Sequence, residues 1–242
     1  MELHDKVAVV TGGAHRVGKV IALALAEAGA NIVVHYHQSG EAEATLAEIR
    51  AHGVRALGVA ADLGQPAGAG AIFDAAEREF GGVDVLVNSA ATFQRADVLT
   101  IGPEEWQQTL NVNLNAPFFC AQRAARSMLA RGGGAIINMA DLSGRQGWPR
   151  YPAHSVSKAG LLMLTRVLAK ALAPTVRVNA IAAGPVIKPP DWDEARWNAV
   201  GSRTLLKRAG SGYDVARTVL FLLQEDYMTG AIVVVDGGRS IA

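Results

Sequence analysis

The stretch Lys6-Val-Ala-Val-Val-Thr-Gly-Gly-Ala-His-Arg-Val-Gly18, followed directly by Lys-Val-Ile-Ala-Leu-Ala-Leu-Ala-Glu-Ala-Gly29, decides the fold. Residues 6–11 are a short β-branched, apolar run, too short for a helix and uniformly hydrophobic, which reads as a strand buried on both faces. Residues 17–28 are rich in Ala and Leu at helical spacing and stop at Gly29. A Gly-containing turn joins the two. This order sets the unpaired N–H groups of a helix N-terminus at the carboxyl edge of a parallel sheet, where a pyrophosphate can sit. An ordinary βα turn is the other reading, since Gly-Gly turns are common.

Gly12 and Gly18 hold the outer positions of the turn, while Arg16 stands where a middle glycine is expected. A guanidinium gives up backbone closeness and adds a bidentate fork for an anion. Arg16 therefore either helps hold a phosphate, the extra one of NADP included, or is a solvated loop arginine. Asn31–Tyr36 reads as a second strand, 40–52 as a helix and 54–60 as a third strand. In an NAD-selecting domain the second strand ends in an acid that bonds the ribose 2′-hydroxyl. Here His35-Tyr36-His37-Gln38-Ser39 offers no acid before Glu41. That removes a repulsion against a 2′-phosphate, and His37 and Ser39 can donate hydrogen bonds to one. Ser39 equally suits a helix cap. Together with Arg16, the segment favours NADP over NAD.

Composition narrows the class. A chain of 242 residues is ample for one α/β domain with a large core. Its net charge of +1 argues for neither nucleic acid nor an acidic membrane surface. Cys120 is the single cysteine, which excludes an intrachain disulfide, and its apolar neighbours make it a core residue. No run approaches a membrane span and nothing at the start resembles a signal peptide, so a cytosolic protein is expected, with no metal.

Further along, Asp62 either meets an adenine amino group or caps the helix beginning near Pro66, a helix expected over 66–80. A fourth strand over 83–87 leads into Asn88-Ser89-Ala90-Ala91-Thr92-Phe93, whose small residues permit close approach to the backbone. Phe93 reads as a stacking platform for a flat ring or as an aromatic folded back on the core. Two helices fill 103–131, with Asn111, Asn113 and Asn115 near their junction. Asn113 is either a buried structural link or part of a water relay. Gly132-Gly133-Gly134 then delivers strand five, Ala135–Met139. The alternation predicts a doubly wound, parallel, Rossmann-type sheet of seven strands with helices on both faces, in a single domain over 1–242.

After strand five come Asp141 and, past a loop, Tyr151-Pro-Ala-His154-Ser-Val-Ser-Lys158. His154 and Lys158 are four apart at the start of a helix over about 153–172, so they share a face. Asp141 ends a neighbouring strand on the carboxyl side, where such sheets place their sites. Residues 186–210, with Trp192 and Trp197, read as a substrate lid with an aromatic inner face, or as a subunit contact. Helix 212–224 and strand 231–235 finish the sheet.

These pieces resemble the short-chain dehydrogenase/reductase family over essentially the full chain. The match lies in Thr11-Gly12 to Gly18, Asp62, Asn88 with Ala90, Asn113, Lys158, Ala183-Gly184-Pro185, Thr229-Gly230 and Val235-Asp236-Gly237-Gly238. More narrowly, Arg16, His35-Tyr36-His37 with Ser39, Phe93 and Asp141 look like the pteridine reductase branch. The resemblance implies an NADP(H) site built from Gly12, His15, Arg16, Val17, Gly18, His35, Tyr36, His37, Ser39, Asp62, Leu63, Asn88, Ser89, Ala90, Lys158, Gly184, Pro185 and Val186. It implies catalysis by Asp141, His154, Lys158 and Asn113, a substrate held by Phe93, Asp141, Tyr151 and Trp192, and a homotetramer.

One departure matters. The family's Tyr-x-x-x-Lys reads His154-x-x-x-Lys158 here. A neutral imidazole is a poor acid, so three readings stand: His154 paired with Asp141 donates the proton, Tyr151 substitutes, or the donor is lost and nucleotide binds without efficient turnover. Pro152 forces Tyr151 towards an extended backbone, which limits its reach. The expectation is an NADPH-dependent reductase of a dihydropterin or similar flat heterocycle. The alternatives are a carbonyl oxidoreductase acting on a 3-oxoacyl thioester or small ketone, and an NADP(H)-binding scaffold or sensor.

Overall fold

The computed structural model describes residues 1–38 and 40–242. Its elements alternate as expected: β1 (Val7–Thr11), α1 (Arg16–Glu27), β2 (Asn31–Tyr36), α2 (Ala42–Arg50), β3 (Ala56–Ala60), α3 (Pro66–Phe80) and β4 (Val85–Asn88). Then come α4 (Pro103–Leu110), a π-helical turn (Asn111–Asn115), α5 (Ala116–Ala130), β5 (Gly134–Asp141), the short α6 (Ser143–Gln146) and α7 (Pro152–Leu172). The chain closes with β6 (Val176–Ala183), α8 (Glu194–Gly201), α9 (Gly212–Gln224), β7 (Ile232–Val235) and a final 3₁₀ turn (Arg239–Ile241).

The seven strands form one sheet in the order β3-β2-β1-β4-β5-β6-β7, every pairing parallel. The order reverses between β1 and β4, which opens a crevice at their carboxyl ends. Register fixes what meets there: Thr11 lies beside Asn88, Asn88 beside Asn138, and Asp141 beside Ala183. One core lies between the sheet and helices α1, α2 and α9, and includes Ile21, Leu25, Leu46, Val215 and Val219. The other lies under α3, α5 and α7, with Phe73, Cys120, Met128 and Leu168. Cys120 is fully buried, and burial pushes its thiol up to about 12, which keeps it an inert hydrophobe. Small side chains let the helices ride close. A Cβ on Gly18 would stand 2.1 Å from the Gly12 carbonyl oxygen, so only glycine lets α1 start where it does.

Several elements differ from the sequence reading, four of them for a clear local reason. Strand four starts at Val85 and ends on Asn88, because Asp84 turns its carboxylate to the Val7 N–H and the Arg131 guanidinium. Strand five runs on to Asp141, since β6 matches it residue for residue to that point. The asparagines at 111, 113 and 115 sit in a π turn between α4 and α5, a wider coil that turns Asn113 fully inward. Residues 186–210, read as a loop, contain α8, capped by Asp193 on the Arg196 N–H at 2.7 Å. No described helix is long and apolar enough to cross a membrane.

Candidate active site

A cleft of about 460 Å³ runs along the carboxyl ends of the strands. At one end are Gly12, His15, Arg16, Val17, Gly18 and, from β2 and β3, His35, Tyr36, His37, Asp62 and Leu63. The other end holds Ser89, Ala90, Thr92, Phe93, Asp141, His154 and Lys158, with Gln108 and Val112 between. Ser39 falls outside the described residues.

The Gly turn is braced from three sides. Gly12 has φ +65°, the left-handed region glycine adopts freely, and its Cα side faces the Ala90 backbone so closely that a Cβ would be 3.0 Å from it. The Gly12 N–H donates to His35 Nδ1 at 3.1 Å, and His35 Nε2 donates to the Ala61 carbonyl at 3.0 Å. His35 is thus neutral and spent on backbone, and burial lowers its pKa. It shapes the turn and has no free nitrogen for a phosphate. Thr11 Oγ1 accepts from the N–H groups of Ser89 and Ala90 at 2.9 and 3.0 Å, pinning the loop after β4 to the end of β1. Arg16 carries φ +52° on a non-glycine residue. It is exposed and makes no hydrogen bond or ion pair among the described residues. The first turn of α1 has neither an acidic residue nor a side-chain cap, so its N–H groups and the Arg16 fork point at the cleft unneutralised. Asp62 accepts from the Gly64 N–H at 2.8 Å, and α3 starts from Gln65 with no side-chain cap, so Asp62 is not that helix's cap.

The titratable cluster lies at the other end. Asp141 Oδ2 is 2.5 Å from His154 Nε2, and Asp141 Oδ1 accepts from the Ser143 N–H at 2.9 Å and its hydroxyl at 2.5 Å. Burial pushes the Asp141 carboxyl up, but the hydrogen bond and charge of His154, with Lys158 and Ser143 behind, outweigh it and bring the value to about 2. Lys158 is buried and donates to the Met139 carbonyl at 2.7 Å. Burial lowers its pKa, partly opposed by the Asp141 charge.

Asn113 is a buried structural link. Its oxygen accepts from the Thr92 N–H at 2.8 Å, and its amide nitrogen lies 3.0 Å from the Thr92 carbonyl, 3.1 Å from Ser157 Oγ and 3.2 Å from His154 Nδ1. The π turn therefore clamps the loop after β4 to α7. Phe93 is half exposed, stacked on Tyr151 at 4.3 Å and edge-on to His154 at 4.8 Å. It covers the histidine and carries Tyr151 on its other side. Tyr151 has φ −142°, the extended backbone that Pro152 demands.

Some expected site residues lie elsewhere. Asn88 is buried, bonded to the Asn138 side chain at 2.9 Å, with its own oxygen unpartnered among the described residues. Pro185 and Val186 line a separate cavity with Leu205 and Leu206, and Gly184 packs on Asp236. Trp192 stacks under the Arg196 guanidinium at 3.9 Å, away from the cleft lining. Sequence reasoning missed Thr92, whose carbonyl holds both Asn113 and His154 and whose buried hydroxyl has no partner among the described residues. It also missed Ser143, which holds Asp141. Both are short polar residues in loops, and nothing in their spacing sets them apart.

A doubly wound sheet with an uncapped helix start at its switch point and an Asp-His-Lys cluster beside it defines a nucleotide-using α/β protein. The chain belongs to the short-chain dehydrogenase/reductase family. A family profile described as enoyl-(acyl carrier protein) reductase matches residues 12–240. A 2-dehydro-3-deoxy-D-gluconate 5-dehydrogenase of Escherichia coli K12 is 37% identical, over 98% of this chain and 96% of its own length. A 3-oxoacyl-[acyl-carrier-protein] reductase of Staphylococcus epidermidis is 35% identical, over 97% and 98%. The crystal structure of L-sorbose reductase from Gluconobacter frateurii with NADPH and L-sorbose superposes with a TM-score of 0.94 at 31% identity, over 99% of this chain and 98% of that one.

Proposed function

We propose that this chain is an NADP(H)-dependent oxidoreductase that interconverts a ketone and a secondary alcohol, on a small polar or acyl-thioester substrate. The observation that carries the reading is the Asp141–His154 contact beside buried Lys158, in the same cleft as the uncapped start of α1. The relatives named above, dehydrogenases and reductases of sugar acids, oxoacyl thioesters and sorbose, support a carbonyl substrate over the dihydropterin expected from the narrower resemblance.

The residues present suit the dinucleotide. Gly12, His15, Arg16, Val17 and Gly18 would receive its pyrophosphate on backbone N–H groups and a guanidinium. Arg16 and His37, both exposed, would face a 2′-phosphate, and Asp62 with Leu63 the adenine. Bound NADPH supplies the hydride. For their part, Asp141 and His154 hold a proton at the mouth of the cleft. Lys158, anchored on Met139, adds a buried positive charge that favours an oxyanion nearby. Phe93, stacked on Tyr151 and edge-on to His154, forms the aromatic wall of that end.

A flat heterocycle is the second reading, favoured by the aromatic wall of Phe93, Tyr151 and Trp148. NADPH oxidation followed with sorbose-like ketones, 3-oxoacyl thioesters and dihydropterins separates the two. Turnover confined to dihydropterins would replace the carbonyl reading, and tight NADPH binding with no acceptor oxidising it would leave a nucleotide-binding scaffold. The homotetramer and the cytosolic setting belong to the same proposal. Exposed Val156, Met163 and Val167 on α7 support the assembly, and light scattering in solution tests it.

A further inference from the structure

We infer that His154 is a doubly protonated positioning residue sealed behind Asp141, and that the Asp141 carboxyl is the one member of the pair that meets the reacting atoms. The inference rests on the proposed reading of the cleft and changes who acts within it.

Counting hydrogens carries the first half. The Asn113 amide nitrogen has two hydrogens and three neighbours within reach. Giving them to the Thr92 carbonyl and Ser157 Oγ satisfies both acceptors, and the Ser157 hydroxyl then spends its own hydrogen on the His154 carbonyl at 2.7 Å. His154 Nδ1 is then left facing the second lone pair of the Thr92 carbonyl at 3.0 Å, an arrangement that requires Nδ1–H. On the other side of the ring, Nε2 lies 2.5 Å from a carboxylate oxygen, which requires a proton between them. The Ser143 N–H and hydroxyl and the Lys158 charge keep the Asp141 carboxyl ionised, so the shared proton sits on Nε2 and both nitrogens carry protons.

Exposure carries the second half. His154 is 3% exposed, with Phe93 across its ring, whereas the Asp141 side chain keeps 22% of its surface open. Neither imidazole nitrogen has a free direction towards a substrate. The groups facing the pair are Lys158 from α7, Ser143 after β5, and the uncharged Thr92, Phe93 and Asn113 from the remaining sides, with Tyr151 beyond Phe93. Lys158 and His154 both hold Asp141 ionised, so the cleft presents an acceptor where the histidine reading puts a donor.

Imidazole ¹⁵N spectra of the whole protein test this without turnover, His154 being assigned by the signal lost in His154→Gln. Two protonated-type nitrogens are expected at neutral pH, as the contacts of both ring nitrogens require. In Asp141→Asn the ring should lose one of the two, because Nε2 no longer faces a carboxylate. An unprotonated ring nitrogen in the unmutated protein at neutral pH would overturn the inference, as would a doubly protonated ring that persists in Asp141→Asn. Where activity is found, His154→Gln should move the acid limb of the pH–rate profile up by about one unit, because Asp141 loses its neighbouring cation. A uniform fall in rate at all pH values would reduce His154 to packing and refute the positioning role. Failure of every ketone to turn over would overturn the proposed function and leave the nitrogen spectra to decide this inference.

Discussion

Replacing Arg16 by glycine should stabilise the protein while weakening its cofactor, because the same residue carries backbone strain and the cleft's free guanidinium. At φ +52° an L-residue suffers a penalty of about 1–2 kcal/mol that glycine escapes. Glycine returns roughly 0.5–1 kcal/mol of that through its greater freedom in the unfolded chain. The net gain is about 0.5–1 kcal/mol, or roughly 1–3 °C in Tm for a chain of this size. A charge-assisted hydrogen bond contributes about 1.5–3 kcal/mol, and exposure to solvent and salt cuts this towards about 1.4 kcal/mol, roughly tenfold in Kd. Thermal melts without cofactor and calorimetric titration with NADPH and NADH measure both effects. Arg16→Gly should melt higher and bind NADPH about tenfold more weakly, with NADH changed by about threefold or less. Arg16→Ala keeps a Cβ at the strained position, so it should lose the same affinity without gaining stability. A glycine variant that melts below the unmutated protein would show that no strain is stored there. Equal losses for the two nucleotides would show that the guanidinium does not read the 2′-phosphate.

Other perturbations follow from the same geometry. Gly18→Ala drives a Cβ against the Gly12 carbonyl, two rigid groups, and should cost about 1–3 kcal/mol in urea unfolding together with loss of NADPH binding. An unchanged urea midpoint would mean that α1 can shift. Asn113→Ala strips partners from the Thr92 backbone, and should cost about 2–3 kcal/mol, read from the same unfolding curve; a cost under about 0.5 kcal/mol would dismiss the clamp. The hydrogen bonds from Arg208, with Ser211 at the start of α9, hold the Asp214 carboxyl well below the usual carboxylate range, although partial burial opposes them. A carboxyl depressed in the folded state stabilises it fully above the unfolded value of about 3.9 and less as pH falls below that. The Tm gap between the unmutated protein and Asp214→Asn should therefore narrow steadily below about pH 4, and a gap independent of pH would refute the assignment.

Much of the site was readable along the chain because it is built from local patterns. The Gly turn, the acid-free end of β2 and the four-residue spacing of His154 and Lys158 are each contained within a dozen residues. Their convergence follows from one rule, that parallel strands deliver their carboxyl ends to the same edge. Duties within the site were less readable. The resemblance put His35 in the cofactor site, and only the structure shows its nitrogens taken by the Gly12 and Ala61 backbone; Asp62 stood open between an adenine contact and a helix cap, and its oxygen is found on the Gly64 N–H. A side chain's spare hydrogen-bonding capacity depends on what neighbouring strands bring to it.

The sequence by itself determined the alternation of buried strands and amphipathic helices, hence the parallel sheet, its crevice and the family. These depend on periodicity and on glycine, properties each segment carries wherever it is placed. The tertiary structure alone decided which atoms of Asp141, His154 and Phe93 face the cleft. Those orientations come from Thr92, Asn113, Ser143 and Tyr151, which reach the cluster from separate loops and helices, so the proton's location is fixed by contacts that do not exist until the sheet has closed.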